Sequence, residues 1–179
     1  DYNINMSGGN DKGSYYAGLG YNHSEGLPIK SFYKRYNFTF NGANNVLINN
    51  GTVLVSVLGF QNSSSTNRVD NYGTFNIGGN INVSGVTTFR NWNLINIGQS
   101  YNNNATSKYI NCGTINSAQG MNLGGGLIVN TGTINVPSGQ IDLSGGTLEN
   151  YGVLYSGGTI NGTSSSTLYN EGLVKITTF

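Results

Sequence analysis

Charge is what this sequence has least of: among 179 residues there are 8 Lys or Arg and 7 Asp or Glu, for a net charge of +1. An ordinary soluble domain carries roughly a quarter charged residues. So sparse a basic complement excludes a field able to hold nucleic acid or an acidic membrane surface, because such binding needs many Lys and Arg to neutralise phosphates. Cysteine occurs once, which rules out a disulfide within the chain, and one Cys with one His falls short of the usual zinc ligand count. No metal and no cofactor is expected. Cys112 reads as a small packed residue rather than a nucleophile, since a thiolate needs an activating base and the only histidine is distant at His23. No apolar run approaches the roughly 18 residues of a membrane span. No signal peptide begins at Asp1, which points to a mature form or an excised fragment.

What is abundant is Asn and Gly, 30 and 28 residues, together close to a third of the chain. Both are poor helix formers, and no window places apolar residues at i, i+3, i+4 and i+7 over three turns. Disorder is equally excluded, because disordered chains lack aromatic and β-branched residues and this one has 11% aromatics with many Ile and Val. The length suits one domain.

A repeat decides the architecture. Asn-x-Gly followed by a small or branched residue and an apolar one begins at Asn49, Asn71, Asn111, Asn130, Asn150 and Asn170. The missing member is Asn91-Trp92-Asn93-Leu94-Ile95, and its Asn93 in the glycine position implies a left-handed backbone there, which Asn tolerates best after Gly. The leading Asn residues are 22, 20, 20, 19, 20 and 20 apart. After each turn, alternation marks two inward columns: Val53, Phe75, Ile95, Ile115, Ile134, Leu154, Val174, and then Val55, Ile77, Ile97, Ser117, Val136, Ser156, Ile176. A third column stands two residues before each leading Asn: Leu47, Val69, Phe89, Tyr109, Ile128, Leu148 and Leu168.

The clearest unit reads as strand Thr133–Val136, turn, strand Gln140–Leu143, turn, strand Thr147–Glu149. Three short strands in about 20 residues describe one coil of a single-stranded parallel β-helix, and stacking at roughly 4.8 Å buries the columns as no lone coil could. The chain is therefore expected to be all-β, a right-handed parallel β-helix of about seven coils over residues 46–179, in a rod of order 30 Å. A propeller or sandwich needs longer strands. Hexapeptide periodicity is absent, and the four Asp residues are too few for calcium-binding nonapeptides.

Each leading Asn has donor and acceptor on one amide. Asn49, Asn71, Asn91, Asn111, Asn130, Asn150 and Asn170 are accordingly expected to hydrogen-bond one another in a ladder along the rod. Residues 1–45 do not follow the repeat and are expected to form an N-terminal cap, as solenoid ends require. Lys12, Lys30, Lys34 and Arg35 with Tyr15, Tyr16 and Tyr21 mark it, and the alternating Phe32, Lys34, Tyr36, Phe38 and Phe40 form a lead-in strand. Gln61–Asn67 and Ser100–Ser107 are expected to bulge from their coils, and the native polypeptide is expected to continue past Phe179.

With segments such as Gly145-Gly146-Thr147-Leu148 and Gly157-Gly158-Thr159-Ile160, the repeats over 46–179 resemble the right-handed parallel β-helices of bacterial surface adhesins, including autotransporter passenger domains and filamentous haemagglutinin-like proteins. The chain lacks the regular Phe-x-x-Asn tetrapeptides of the polymorphic outer-membrane proteins. The resemblance implies a secreted or cell-surface bacterial protein, used for adhesion or as a stalk, whose partner is a host or environmental glycan or a surface protein.

Three functions are weighed. The first is a non-enzymatic adhesive or structural module in which Tyr72, Trp92 and Tyr151, at one corner position, stack on sugar rings; their structural alternative is mutual packing. The second is ice binding through an outward rank of Thr74, Asn76, Asn96, Thr114, Asn116, Thr133 and Asn135, with Leu94 beside Asn96, interrupted at Val153 and Leu173. Thermal hysteresis separates it from the first. The third is a polysaccharide-degrading enzyme, which needs two convergent carboxylates, or a base with cationic neighbours. Asp70, Asp142, Glu149 and Glu171 with Arg68, Arg90, Lys108 and Lys175 read instead as isolated surface charges, so no catalytic residue is assigned.

Overall fold

The computed structural model describes residues 2–10, 13–26, 31–42, 46–60, 67–83, 85–103 and 106–177. From Val46 onward the chain winds as a right-handed parallel β-solenoid. Its three sheets are built from strands three to five residues long, one from each sheet per coil. Sheet I holds the strands that end at the leading Asn, from Val46–Asn49 through Thr87–Asn91 and Lys108–Asn111 to Thr167–Asn170. Sheet II follows the corner, from Thr52–Val55 to Leu173–Ile176. Sheet III closes the coil, from Leu58–Phe60 to Ile160–Gly162. Sheets I and II have seven strands and sheet III six, so the described residues make six full turns and two-thirds of a seventh.

The inward columns stack as alternation requires. Phe75, Ile95, Ile115, Ile134 and Leu154 are each at most 1% exposed, as are Val69, Phe89, Ile128 and Leu148 of sheet I. Val53, Val55 and Val174, on the end coils, pack against the core while only partly buried, whereas Leu168 and Ile176 are exposed. Two serines interrupt the second column without orphaning a hydroxyl. Ser117 donates to the carbonyl of Gly120 at 2.7 Å and Ser156 to that of Gly139 at 3.3 Å. Sheet III supplies the side that the columns leave open, through Ile81, Tyr101, Met121, Ile141, Leu123 and Leu143.

The aromatic part of the core is continuous. Phe89 and Tyr109 stack at 4.6 Å between centroids, Phe75 meets Phe89 edge-on at 6.3 Å, and Tyr101 meets Tyr109 edge-on at 5.3 Å. The hydroxyls of Tyr101 and Tyr109 are buried without a hydrogen-bonding partner, and burial pushes both phenols far above their ordinary value, Tyr109 further under the influence of Tyr101. An unsatisfied buried hydroxyl costs about 1–3 kcal/mol, so replacing both tyrosines with Phe should leave neutral-pH stability unchanged or raised. In the unfolded chain these phenols ionise near pH 10, whereas in the fold they stay protonated. The wild type should therefore lose stability as pH climbs above about 10, and Tyr101→Phe/Tyr109→Phe should blunt that loss. Urea titrations on either side of pH 10 check both statements.

The first 42 residues hold a separate antiparallel sheet of Tyr2–Asn10, Gly13–Gly26 and Ser31–Gly42, in that spatial order. The strand over 31–42 pairs along its length with 13–26, Tyr36 opposite Tyr21. The bulges expected at Gln61–Asn67 and Ser100–Ser107 are corrected where the structure describes them: Ser100–Asn103 is a strand of sheet III with Tyr101 buried, Ser107 is buried, and Asn67 opens a strand of sheet I. Residues 61–66 and 104–105, with Lys12, Lys30 and the terminus at Phe179, lie outside the described residues.

The corner glycines have a different cause from the one expected. Positive φ occurs at Gly126 and Gly145, in another turn of the coil, and not in the Asn-x-Gly column. What selects glycine at the corner is close approach. A Cβ on Gly73, Gly113, Gly132, Gly152 or Gly172 would lie 2.0–2.1 Å from the carbonyl oxygen of the coil beneath. Asn93 shows what a side chain does there: the bond from Leu94 N–H to the Gly73 carbonyl stretches to 3.3 Å, against 2.7 Å for Thr114 to Asn93 one coil on.

Candidate functional site

Every leading Asn lies at the end of a sheet I strand, where its amide faces the same amide one coil away. Asn49 donates to Asn71 at 2.8 Å, and the chain of bonds continues without a gap through Asn91, Asn111, Asn130 and Asn150 to Asn170, at 2.6–2.8 Å. Six of the seven are at most 5% exposed. The remaining amide hydrogen turns to backbone, as Asn111 does to the carbonyls of Gly113 and Thr133. The main-chain carbonyls from Asn49 to Asn150 accept as well: that of Asn111 receives the N–H groups of Thr131 at 2.8 Å and Gly132 at 3.0 Å. The ladder is thus consumed in holding coil to coil and offers nothing outward.

Outside that corner, Tyr72 and Trp92 stack face to face, centroids 4.5 Å apart and planes within 7°. One face of each ring is covered by the other. Tyr151 is on the same corner but three coils beyond Trp92, past Cys112 and Thr131, and the fold brings it to Tyr169 instead, at 5.8 Å. Cys112 is exposed rather than packed, because the corner position points away from the core.

The carboxylates are less isolated than their spacing implies. Asp70 is buried on the outer face of sheet I, in ion pairs with Arg68 on its own strand and, at 3.9 Å, with Arg90 on the next. Only the carboxylate is covered: the Asp70 side chain is 1% exposed, whereas those of Arg68 and Arg90 stay 47% and 37% exposed. Tyr169 donates to Glu171, which raises the Tyr169 phenol. Partial desolvation with the charges of Glu149 and Glu171 raises that of Tyr151. Lys175 approaches the Tyr155 ring at 5.8 Å, while Asp142 accepts from Gln140 and Asn161, both at 2.7 Å. Among the described residues no three His, Cys, Asp or Glu side chains gather as a metal cluster.

On the outer face of sheet II, Thr74, Thr114 and Thr133 align in register with Leu94 between them and Val153 beyond. Their companions Asn76, Asn96, Asn116 and Asn135 form a second ladder, each amide donating toward the preceding coil at 2.8, 2.9 and 3.2 Å. A third ladder, unforeseen from the sequence, joins Asn122 to Asn102 and Asn102 to Asn82 on sheet III. Its signal is present in the chain as an exact spacing of 20. Two open grooves border these faces. One, along sheet II, is floored by Gly78, Gly98, Ala118 and Pro137, and the other, polar, lies beside Asn122 and Asp142.

No helix among the described residues is long and apolar enough to cross a membrane. Comparison of the chain with protein-family models, with curated proteins and with solved structures finds no match.

Proposed function

We propose that this chain is a non-enzymatic adhesive or structural module of a secreted or cell-surface protein, in the manner of the bacterial adhesins its repeats resemble, and that its contact chemistry is directed at carbohydrate. The observation carrying this reading is the pair of outward amide ladders, which set Asn and Thr groups at coil spacing along two faces of one rod. Regular, uncharged donors and acceptors match polyhydroxyl ligands and give an ionic partner little to hold. The disposition of acids supports the non-enzymatic part. Among the described residues Asp70 is paired with two arginines, Asp142 is on sheet III, and Glu149 and Glu171 sit with tyrosines at the Asn corner. Ice binding by the Thr and Asn rank of sheet II is less well supported, since Leu94 and Val153 stand in register with the threonines and break the rank.

The test is a glycan array probed with the purified chain. Binding of a defined set of saccharides is expected; a blank array at high protein concentration overturns the carbohydrate reading and leaves a spacer.

A further inference from the structure

The third ladder stops where its chemistry runs out. Asn82, Asn102, Asn122, Asp142 and Asn161 are aligned in adjacent strands of sheet III, each the backbone partner of the next. All the bonds point the same way: Asn102 donates to Asn82 at 3.0 Å, Asn122 to Asn102 at 2.7 Å and Asn161 to Asp142 at 2.7 Å. The step from position 142 to Asn122 is the only one missing, because a carboxylate has no hydrogen to give. Two oxygens therefore face each other one strand spacing apart, roughly 4.8 Å. Asp142 accepts from Asn161 through Oδ1 and from Gln140, a neighbour on its own strand, through Oδ2, both at 2.7 Å, and so keeps lone pairs but gains no positive partner; no donor among the described residues reaches the Asn122 amide oxygen, and the ion pairs among those residues do not include Asp142.

This gap opens into the polar groove. The groove's floor is bare backbone by necessity: a Cβ on Gly139 would stand 1.7 Å from the Gln119 carbonyl oxygen, and one on Gly158 would stand 2.9 Å from that of Gly139. Its walls carry Ser100, Ser138 and Gln119, which can donate as well as accept. We propose that the gap between Asn122 and Asp142 is a saccharide subsite that takes an uncharged sugar through two adjacent hydroxyls. One hydroxyl donates to the amide oxygen and the other to the carboxylate. The bare floor admits the edge of a ring, and the uncompensated negative charge turns away uronic and sialic acids. The inference rests on the carbohydrate reading above and locates it on sheet III, away from the Tyr72–Trp92 corner.

Asp142→Asn is the decisive variant, because the introduced amide supplies the missing donor and closes the ladder over the subsite. It should fold with an unchanged or higher melting temperature and lose at least tenfold in affinity for the array's neutral hits. Asn122→Ala, which removes the facing oxygen but keeps the charge, should lose affinity to a similar degree, while Trp92→Ala should keep it. Wild-type affinity in Asp142→Asn overturns the subsite, as does loss in Trp92→Ala alone, and in either case carbohydrate binding itself stands. An array on which only acidic sugars bind also overturns it, and an array blank for the wild type removes both proposals together.

Discussion

Replacing Asn111 with alanine is expected to lower the free energy of unfolding by about 3–4 kcal/mol, a large loss for one polar side chain. The deletion itself is small; what it leaves behind is not. Asn91 loses the acceptor of its 2.8 Å bond, Asn130 loses its 2.7 Å donor, and the carbonyls of Gly113 and Thr133 lose theirs. Asn91 and Asn130 are fully buried, and each stranded group costs about 1–3 kcal/mol. Asn170→Ala is the internal control. That residue receives one bond from Asn150 and sits exposed in the last coil, so its loss should cost about 1 kcal/mol. Urea denaturation of the two variants decides the matter: equal costs would mean that the ladder contributes no more than any turn asparagine.

The second large effect concerns a methyl group added rather than an amide removed. Gly132→Ala should fail to fold or lose more than about 3 kcal/mol, because the new Cβ would be 2.1 Å from the Gly113 carbonyl oxygen and 2.7 Å from the Cys112 carbonyl carbon. Relief requires lifting one coil from the next, which breaks the bonds from Gly132 to Asn111 and from Thr133 to Gly113. Gly51→Ala, at the equivalent place on the first coil, has nothing within 4 Å of its Cβ. It should be tolerated, and circular dichroism melts of the pair distinguish close approach from a general aversion to alanine at this corner.

Most of the solenoid was legible because its information is periodic. Seven asparagines at intervals near 20 and three alternating columns identify the coil, its strands and its inner ladder, and Thr133–Val136 and Gln140–Leu143 fall where the pattern puts them. The glycine column was seen but misattributed, since a left-handed φ and a carbonyl at contact distance select the same residue. The strand over 31–42 was legible as a strand, but its partner over 13–26 belongs to no repeat that could announce it. Asp70 and Cys112 were misjudged for a related reason: periodicity gives a side chain's direction, whereas their burial and exposure depend on what a single place on the surface touches. The sheet III subsite was overlooked because Asp142 looks like one stray acid until the register shows it occupying an asparagine's place.

The direction of the three ladders has an electrical consequence. Six of their bonds, all in the buried corner, run from donor to acceptor toward the C-terminus. The other six, on the outer faces of sheets II and III, run toward the N-terminus. The side-chain dipoles oppose one another in equal number, so the amide columns do not add up to poles at the two tips. With a net charge of +1 over all 179 residues, the chain casts almost no long-range field. A partner is then not drawn in from a distance but captured on touching, by a contact whose rate hardly changes with salt.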